Sequence, residues 1–298
     1  EFSNKNDVNI VFIESDSIPK NLKSPVVQRL DGIFFAPEDY ETKNVLIKNT
    51  YERADGLIFQ SEFDKKMIEK FWGARDVPKR VIRNGSFSRR INREKIKIEW
   101  LENIRSDFYR VFICSSQWNG RPHKRLNENI RFVSEFAKWA KYKCCLMTMG
   151  NIDGLAPMAE VIHHEFFTQI HLGEIKPSET HAPLSYADWM VHLAAFDHCP
   201  NSVAEAISCQ VPVICSSSGG TKELVRDCGF VIDEKTGYDF ELYDYRNTPP
   251  LDFTEYHFRI VHNGYGLLPE KVQHARMENV LVEYIDFLEE VVREHKKN

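Results

Sequence analysis

Short apolar runs, each followed by an amphipathic stretch, recur along these 298 residues and constrain the fold more than any other feature. That alternation is the pattern of βαβ units and a parallel sheet. Asn9 to Ile13, Val26 to Phe35 broken at Gly32, Gly56 to Phe59 and Pro78 to Ile82 read as strands. A helix is expected from Phe63 to Trp72, where Phe63, Met67 and Phe71 recur at spacings of four. From Arg110 the pattern restarts, with strands expected at Val111 to Ser115, Cys144 to Met149, Thr168 to Leu172, Trp189 to Leu193 and Val211 to Cys215. Helices fall between them at Leu126 to Trp139, around His181 to Tyr186, and at Pro200 to Ser208. Two consecutive α/β series therefore share the chain, with their boundary between Ser86 and Tyr109. The expected division is residues 1–106, residues 107–275 and a terminal amphipathic helix within 276–298, whose apolar positions are Val280, Leu281, Tyr284, Ile285, Leu288 and Val292.

The length suits two domains at about 150 residues each. With 42% hydrophobic and 28% charged residues, the composition excludes disorder, collagen and disulfide scaffolds. No apolar run approaches the roughly 18 to 20 residues that cross a bilayer, and the polar opening lacks the apolar core of a signal peptide. The chain opens on Glu1-Phe2 instead of Met, the pattern of a start altered in cloning, in which case targeting information lies outside these residues. The seven cysteines are odd in number and show no CxxC pairing, which fits a reducing cytosol and no zinc site. A net charge of −5 gives no general footprint for nucleic acid. It hides an asymmetry, +3 over residues 1–106 and −8 over the remainder, and within the first part Arg89, Arg90, Arg93, Lys95 and Lys97 crowd one stretch. The basic residues within 79–97 read as a solvated linker face, with peripheral membrane contact or a phosphate-bearing acceptor as the alternative.

Two common phosphate-binding motifs are missing. The chain has no G-x-G-x-x-G opening a helix and no G-x-x-x-x-G-K-[ST], so dinucleotide and P-loop readings lose their basis. The informative segment is Leu184 to Val225. There a strand leads into a loop holding Asp197, Pro200 suits a first helical turn, and Glu205 sits on that helix. Backbone amides at Asn201, Ser202 and Val203 are expected to form an anion seat at the helix start, and Glu205 to accept two hydrogen bonds from a ribose diol. After the next strand, Gly219, Gly220 and Thr221 offer a close backbone approach to phosphate or sugar; the alternative is a plain tight turn.

Together these residues resemble the donor site of retaining GT-B glycosyltransferases, most closely family 4. Asp197 and Glu205 match its acid-x7-acid motif, Ser208 to Val213 stand in for A-x-G-x-P-V, and Gly219-Gly220-Thr221-Lys222-Glu223 match its Gly-Gly-x-x-Glu turn. Asp replaces the usual first Glu, and Gln210 replaces the usual Gly. In Ser116 to Leu126, Lys124 falls at the family's diphosphate-binding Lys, while Arg121 lies three residues before it instead of five. Tyr51 to Ser86 resembles the family's stretch ending in an Asn-Gly turn, here Asn84-Gly85. Arg29 and Asp31, at a strand end, are expected on the acceptor side or as a structural ion pair. Only about 25 residues precede Val26, so either the acceptor-side domain is reduced or the sequence begins within it.

The resemblance implies an α/β GT-B fold, two Rossmann-like domains facing each other across a cleft, with the terminal helix returning to the first. It also implies transfer of a sugar from a nucleotide-diphosphate sugar, a UDP- or GDP-sugar foremost, to a hydroxyl of a glycan, lipid-linked or protein acceptor, with retained configuration. Asp197, Arg121 and Lys124 would be catalytic. Glu205, Asn201, Ser202, Val203, Gly219, Gly220 and Thr221 would bind the donor. No cofactor and no catalytic metal are expected, the chain having no D-x-D. His192, His198 and His123 lie near the motifs without an assigned role. The competing readings are a non-catalytic nucleotide-sugar or glycan-binding protein and a nucleotide-sugar epimerase, with a phosphorylase weaker because it needs more chain and a pyridoxal lysine.

Overall fold

The computed structural model describes residues 3, 5–152, 164–235, 237–244, 247–264, 266–267 and 269–297. The chain forms two compact units. The first comprises Glu1–Asn84, Tyr238–Asp244 and Met277–Asn298, and the second Gly85–Gly237 and Tyr245–Arg276.

In the first unit, β1 (Asn9–Phe12), β2 (Val26–Leu30), β3 (Gly56–Phe59) and β4 (Lys79–Val81) form a parallel sheet in that order. The helices α1 (Pro37–Lys43), α2 (Val45–Arg53) and α3 (Glu62–Trp72) occupy the connections. α3 begins where the Ser61 hydroxyl accepts the Asp64 amide at 3.0 Å, and it stops at Gly73, whose φ of 84° suits a residue without Cβ.

The last helix, Met277–His295, belongs to this unit. Val280, Phe287 and Val291 are buried against Val27, Ile58 and Ile82, with Tyr284 and Leu288 beside them. Leu281 and Ile285, expected in the apolar stripe, are instead 45% and 55% exposed. A single helical stripe can bury only one row of the apolar residues this helix carries, and the row containing Phe287 fills the space over the sheet.

The second unit holds a six-stranded parallel sheet in the order β10-β9-β8-β5-β6-β7. The strands are β5 (Arg110–Ser115), β6 (Cys144–Met149), β7 (Phe167–Gly173), β8 (Trp189–His192), β9 (Val213–Ser216) and β10 (Gly229–Ile232). Alternate residues face opposite layers: Val111 and Ile113 join one core cluster, Phe112 and Cys114 the other. One layer includes α4 (Glu99–Asp107), α6 (His181–Tyr186), α7 (Asn201–Ser208) and α8 (Thr221–Val225); the other includes α5 (Leu126–Ala140) and α9 (Glu255–Asn263). All seven cysteines are free and buried within this unit.

The units divide at Asn84/Gly85, upstream of the expected 106/107. The intervening stretch is pinned to the second unit. The Ser86 amide donates to the Ala275 carbonyl at 2.8 Å, the Ile91 amide to the Ser185 hydroxyl at 2.8 Å, and Leu101 is fully buried in the core. Its cations are partly engaged as well, with Arg93 lying over the Tyr186 ring and Arg90 donating to the Gln210 carbonyl. Helices α1, α2, α4, α8 and α9 and strand β10 were not expected from the spacing of apolar residues.

Phe287→Ala removes a fully buried ring from the seam between the last helix and the first sheet. It is expected to destabilise the first unit by about 3 to 5 kcal/mol, read as a lower urea midpoint for that unit's transition.

Candidate functional site

The strand order of the second sheet reverses between β5 and β8. Successive strands after β5 go outward one way, and those from β8 go the other. In open α/β sheets, ligands bind outside the carboxyl ends of the strands at such a switch point. The loop after β5 carries Lys124, in a one-turn helix at Pro122–Lys124, and the loop after β8 carries Asp197. Because β5 and β8 are paired, Phe112 to Trp189 and Ile113 to Met190, the two loops emerge side by side.

The Lys124 ammonium donates to Asp197 Oδ2 at 2.6 Å, and His192 Nε2 reaches the same oxygen at 3.0 Å. Both side chains of the ion pair are nearly buried, at 13% and 10% exposure. Burial works against ionisation of Asp197, but Lys124 and His192 outweigh it and hold the carboxyl well below the usual range. Burial and the neighbouring Lys124 charge lower His123 to about 3, so its imidazole is neutral at physiological pH.

The backbone around Asp197 is braced. The Gly220 amide donates to the Asp197 carbonyl at 2.8 Å, and Phe196 has a φ of 57°. Gly219, at φ 85°, lies so close that a Cβ there would stand 2.6 Å from the Asp197 oxygen. The close approach expected of the Gly219-Gly220 turn is therefore to the Asp197 loop, and the Gly220 amide is occupied by it. Thr221, fully buried, starts α8.

The start of α7 also differs in detail from the expectation. Pro200 is the residue before the helix, and the Val203 amide donates to its carbonyl at 3.1 Å, so Val203 does not offer that donor outward. The Ser202 hydroxyl donates to the Ser115 carbonyl at the end of β5, tying the helix start to the switch point; Asn201 precedes it, exposed. Glu205 is half-buried one turn further on. Burial raises its carboxyl, and a hydrogen bond with Thr180 opposes that shift only in part.

Arg121 is exposed and lines a cavity of about 230 Å³ with Trp118, Arg125, Glu128 and Pro249. The more deeply held cation is Arg125, missed in the sequence. It pairs with both Glu234 oxygens at 2.9 and 3.0 Å and donates to the Leu193 and Pro249 carbonyls. Glu234 in turn accepts from Ser218. Arg125 joins loops after β5, β8 and β10 that are far apart in sequence. Its adjacency to Lys124 was visible, but nothing local pointed to Glu234.

In the first unit, Arg29 pairs with Asp31, donates to Asn84 and reaches the Tyr284 hydroxyl at 3.1 Å. Gln60 donates to Asp31 and accepts from Asn84 at 3.3 Å. These groups sit at the carboxyl ends of β2, β3 and β4. Gln60 was not singled out in the sequence, and Tyr284 was read there only as an apolar position of the terminal helix.

Residues 110–241 match the family model described as glycosyl transferases group 1. No curated protein matches the chain in sequence. Among solved structures, the chain is similar to the sucrose-phosphate synthase of Thermosynechococcus elongatus with a TM-score of 0.53 and 16% identity, over 91% of this chain and 63% of that one. It is similar to Anabaena Alr3699/HepE, described in complex with UDP and glucose, with a TM-score of 0.55 and 18% identity, over 72% of this chain and 59% of that one. A UDP-forming α,α-trehalose-phosphate synthase from Burkholderia xenovorans gives a TM-score of 0.57 and 9% identity, over 91% and 69%. The chain thus spans about three fifths of the first two, and at these identities the likeness is one of fold. That fold is GT-B, with two Rossmann-like parallel-sheet units.

In the second unit, Arg125 and Glu234 are only 3% and 6% exposed. Arg125→Met leaves a buried carboxylate unpaired and is expected to cost about 3 to 5 kcal/mol in urea denaturation at pH 7, with Arg125→Met/Glu234→Leu recovering most of it. Burial would raise Glu234, but Arg125 and Ser218 overcome this and lower it. Its stabilisation is therefore complete above about pH 5 and fades as acid titrates the folded carboxyl, so the deficit of the single variant should narrow toward pH 3.

Proposed function

We propose that the chain is a retaining, metal-independent glycosyltransferase that moves a sugar from a nucleotide-diphosphate sugar to an acceptor hydroxyl. The observation that carries this reading is the convergence of Lys124 and Asp197 from adjacent loops at the switch point of a group 1 domain. Lys124 would neutralise the departing diphosphate, with Arg121 as the outer cation, because negative charge grows on that group as the glycosidic bond breaks. Asp197 would accept hydrogen bonds from the sugar. The raised Glu205 carboxyl would bind the ribose hydroxyls, with the α7 start at Asn201 and Ser202 beside it. The leaving phosphate itself would take the acceptor proton, which requires no separate protein base.

A UDP-sugar is the first donor to test, since the Anabaena structure is described with UDP and glucose. A GDP-sugar is the second. The polar cluster of Arg29, Asp31, Gln60 and Asn84 is the proposed acceptor-side element, for a glycan, lipid-linked or protein hydroxyl. Among the described residues no helix is long and apolar enough to cross a membrane. Action in the cytoplasm, with peripheral membrane contact through the basic 79–97 stretch, is part of the proposal.

The test is incubation with radiolabelled UDP- and GDP-sugars, with and without EDTA. Slow donor hydrolysis that EDTA leaves intact is expected; tight binding with no nucleotide release would favour a non-catalytic sugar-binding protein instead. By calorimetry with the nucleoside diphosphate, Lys124→Ala and Glu205→Ala should each weaken binding by about 1.5 to 3 kcal/mol, the loss of one charge-assisted contact. Parent-like binding by both variants would overturn the site assignment.

A further inference from the structure

We infer that His192 is a positioning residue that keeps Asp197 in place when the donor's pyrophosphate draws Lys124 away, an inference that rests on the donor reading above. Two donors converge on one oxygen: Lys124 Nζ and His192 Nε2 both reach Asp197 Oδ2. Among the described residues nothing bonds Oδ1, which leaves that oxygen for a sugar hydroxyl.

The two donors differ in what they can do next. Lys124 ends a one-turn helix in a loop and carries its charge on a flexible four-carbon stem, so it can follow an arriving anion. His192 is the last residue of β8, 2% exposed and paired with Cys215 in the interior of the sheet, so its ring stays where it is. Asp197 itself is anchored through its backbone by Gly219 and Gly220. If pyrophosphate takes Lys124, the bond from His192 is the one that remains.

This matters because Asp197 is a short acid where the resemblance has Glu. One methylene fewer leaves less reach, so the carboxylate must be held at a defined spot. Without either donor it would be a buried charge with nothing to offset desolvation. The other titratable groups nearby do not take over. His123 is neutral, burial and Lys124 having lowered it, and His198 and Arg121 act on His123.

The geometry demands that His192 Nε2 carry the proton, since a carboxylate only accepts. In the full chain labelled with ¹⁵N-histidine, His192 is expected to show Nε2–H; a bare Nε2 would overturn the inference. A second arm needs no sugar donor. Lys124→Ala mimics the departure of the lysine, and the Asp197 carboxyl is followed by ¹³C NMR, assigned through Asp197→Asn. Its titration midpoint should lie at least about one pH unit higher in Lys124→Ala/His192→Leu than in Lys124→Ala. Equal midpoints would sink the proposal.

With the donor identified by the screen above, His192→Leu should lower kcat by about 100-fold, the scale of a small misplacement of a reacting group. KM for the donor should stay within about threefold, and His192→Gln, which restores an N–H donor, should recover most of kcat. Unchanged kcat in His192→Leu would count against the role. If Asp197→Asn leaves transfer untouched, the donor reading fails, while the NMR arms still decide whether His192 holds the carboxylate. Should the leucine variants not fold, the tautomer of the native chain and the kcat of the glutamine variant still decide between the two outcomes.

Discussion

The Lys124–Asp197 ion pair exists because two strands distant in sequence, β5 and β8, are hydrogen-bonded neighbours at the place where the sheet reverses its order. Parallel strands present all their carboxyl-end loops on one edge, and the reversal sends successive connections to opposite sides, leaving the two central loops uncovered. Other parts of the candidate site are fixed relative to that pair. The Gly219-Gly220 turn after β9 braces Asp197, the start of α7 is tied to the end of β5 through Ser202, and Arg125 secures the loop that bears Lys124. A cation and an acid placed so close would be ordinary on a surface. Here they are nearly out of water, where their attraction counts for more and their loss would be costly.

The carboxylates of this unit show how burial acts differently according to the company it provides. Asp197 and Glu234 are both desolvated, yet each faces a cation and further donors, so each stays ionised with a lowered pKa. Glu205 is desolvated with only Thr180 for support, and its pKa rises. Three acids on one domain are thereby assigned three states: a carboxylate shared between lysine and histidine, a carboxylate locked into a structural bridge, and one whose charge is less strongly held. The first and third are the two acids of the acid-x7-acid spacing, while the second was invisible in the motif.

In the first unit the same edge of a parallel sheet gathers Arg29, Asp31, Gln60 and Asn84, and the last helix contributes Tyr284 to the cluster. The helix is held by apolar packing of Val280, Phe287 and Val291 over the sheet, and by the Arg80–Glu290 ion pair. A segment more than two hundred residues from β2 thus reaches a group at its carboxyl end, which is the consequence of the chain returning to its first unit.

Much of this protein follows from local chemistry in the sequence. The strands β3, β6, β8 and β9, buried on both faces, read as largely apolar runs, the 3.6-residue period set α3 and α5, and the spacing from Asp197 to Glu205 with the Gly-Gly turn marked the segment that resembles a donor site, because these signals act over a few residues. Only the tertiary structure decided that His192 and Lys124 share one oxygen of Asp197, that Arg125 meets Glu234 more than a hundred residues away, and that the Val203 and Gly220 amides are occupied. It also decided which apolar row of the last helix is buried and that the basic stretch after Asn84 packs with the second unit. The reason is physical: a period or a motif states which groups are present and which face they share, whereas the partner of a buried polar group depends on which strands become neighbours, and strand order is a property of the folded sheet.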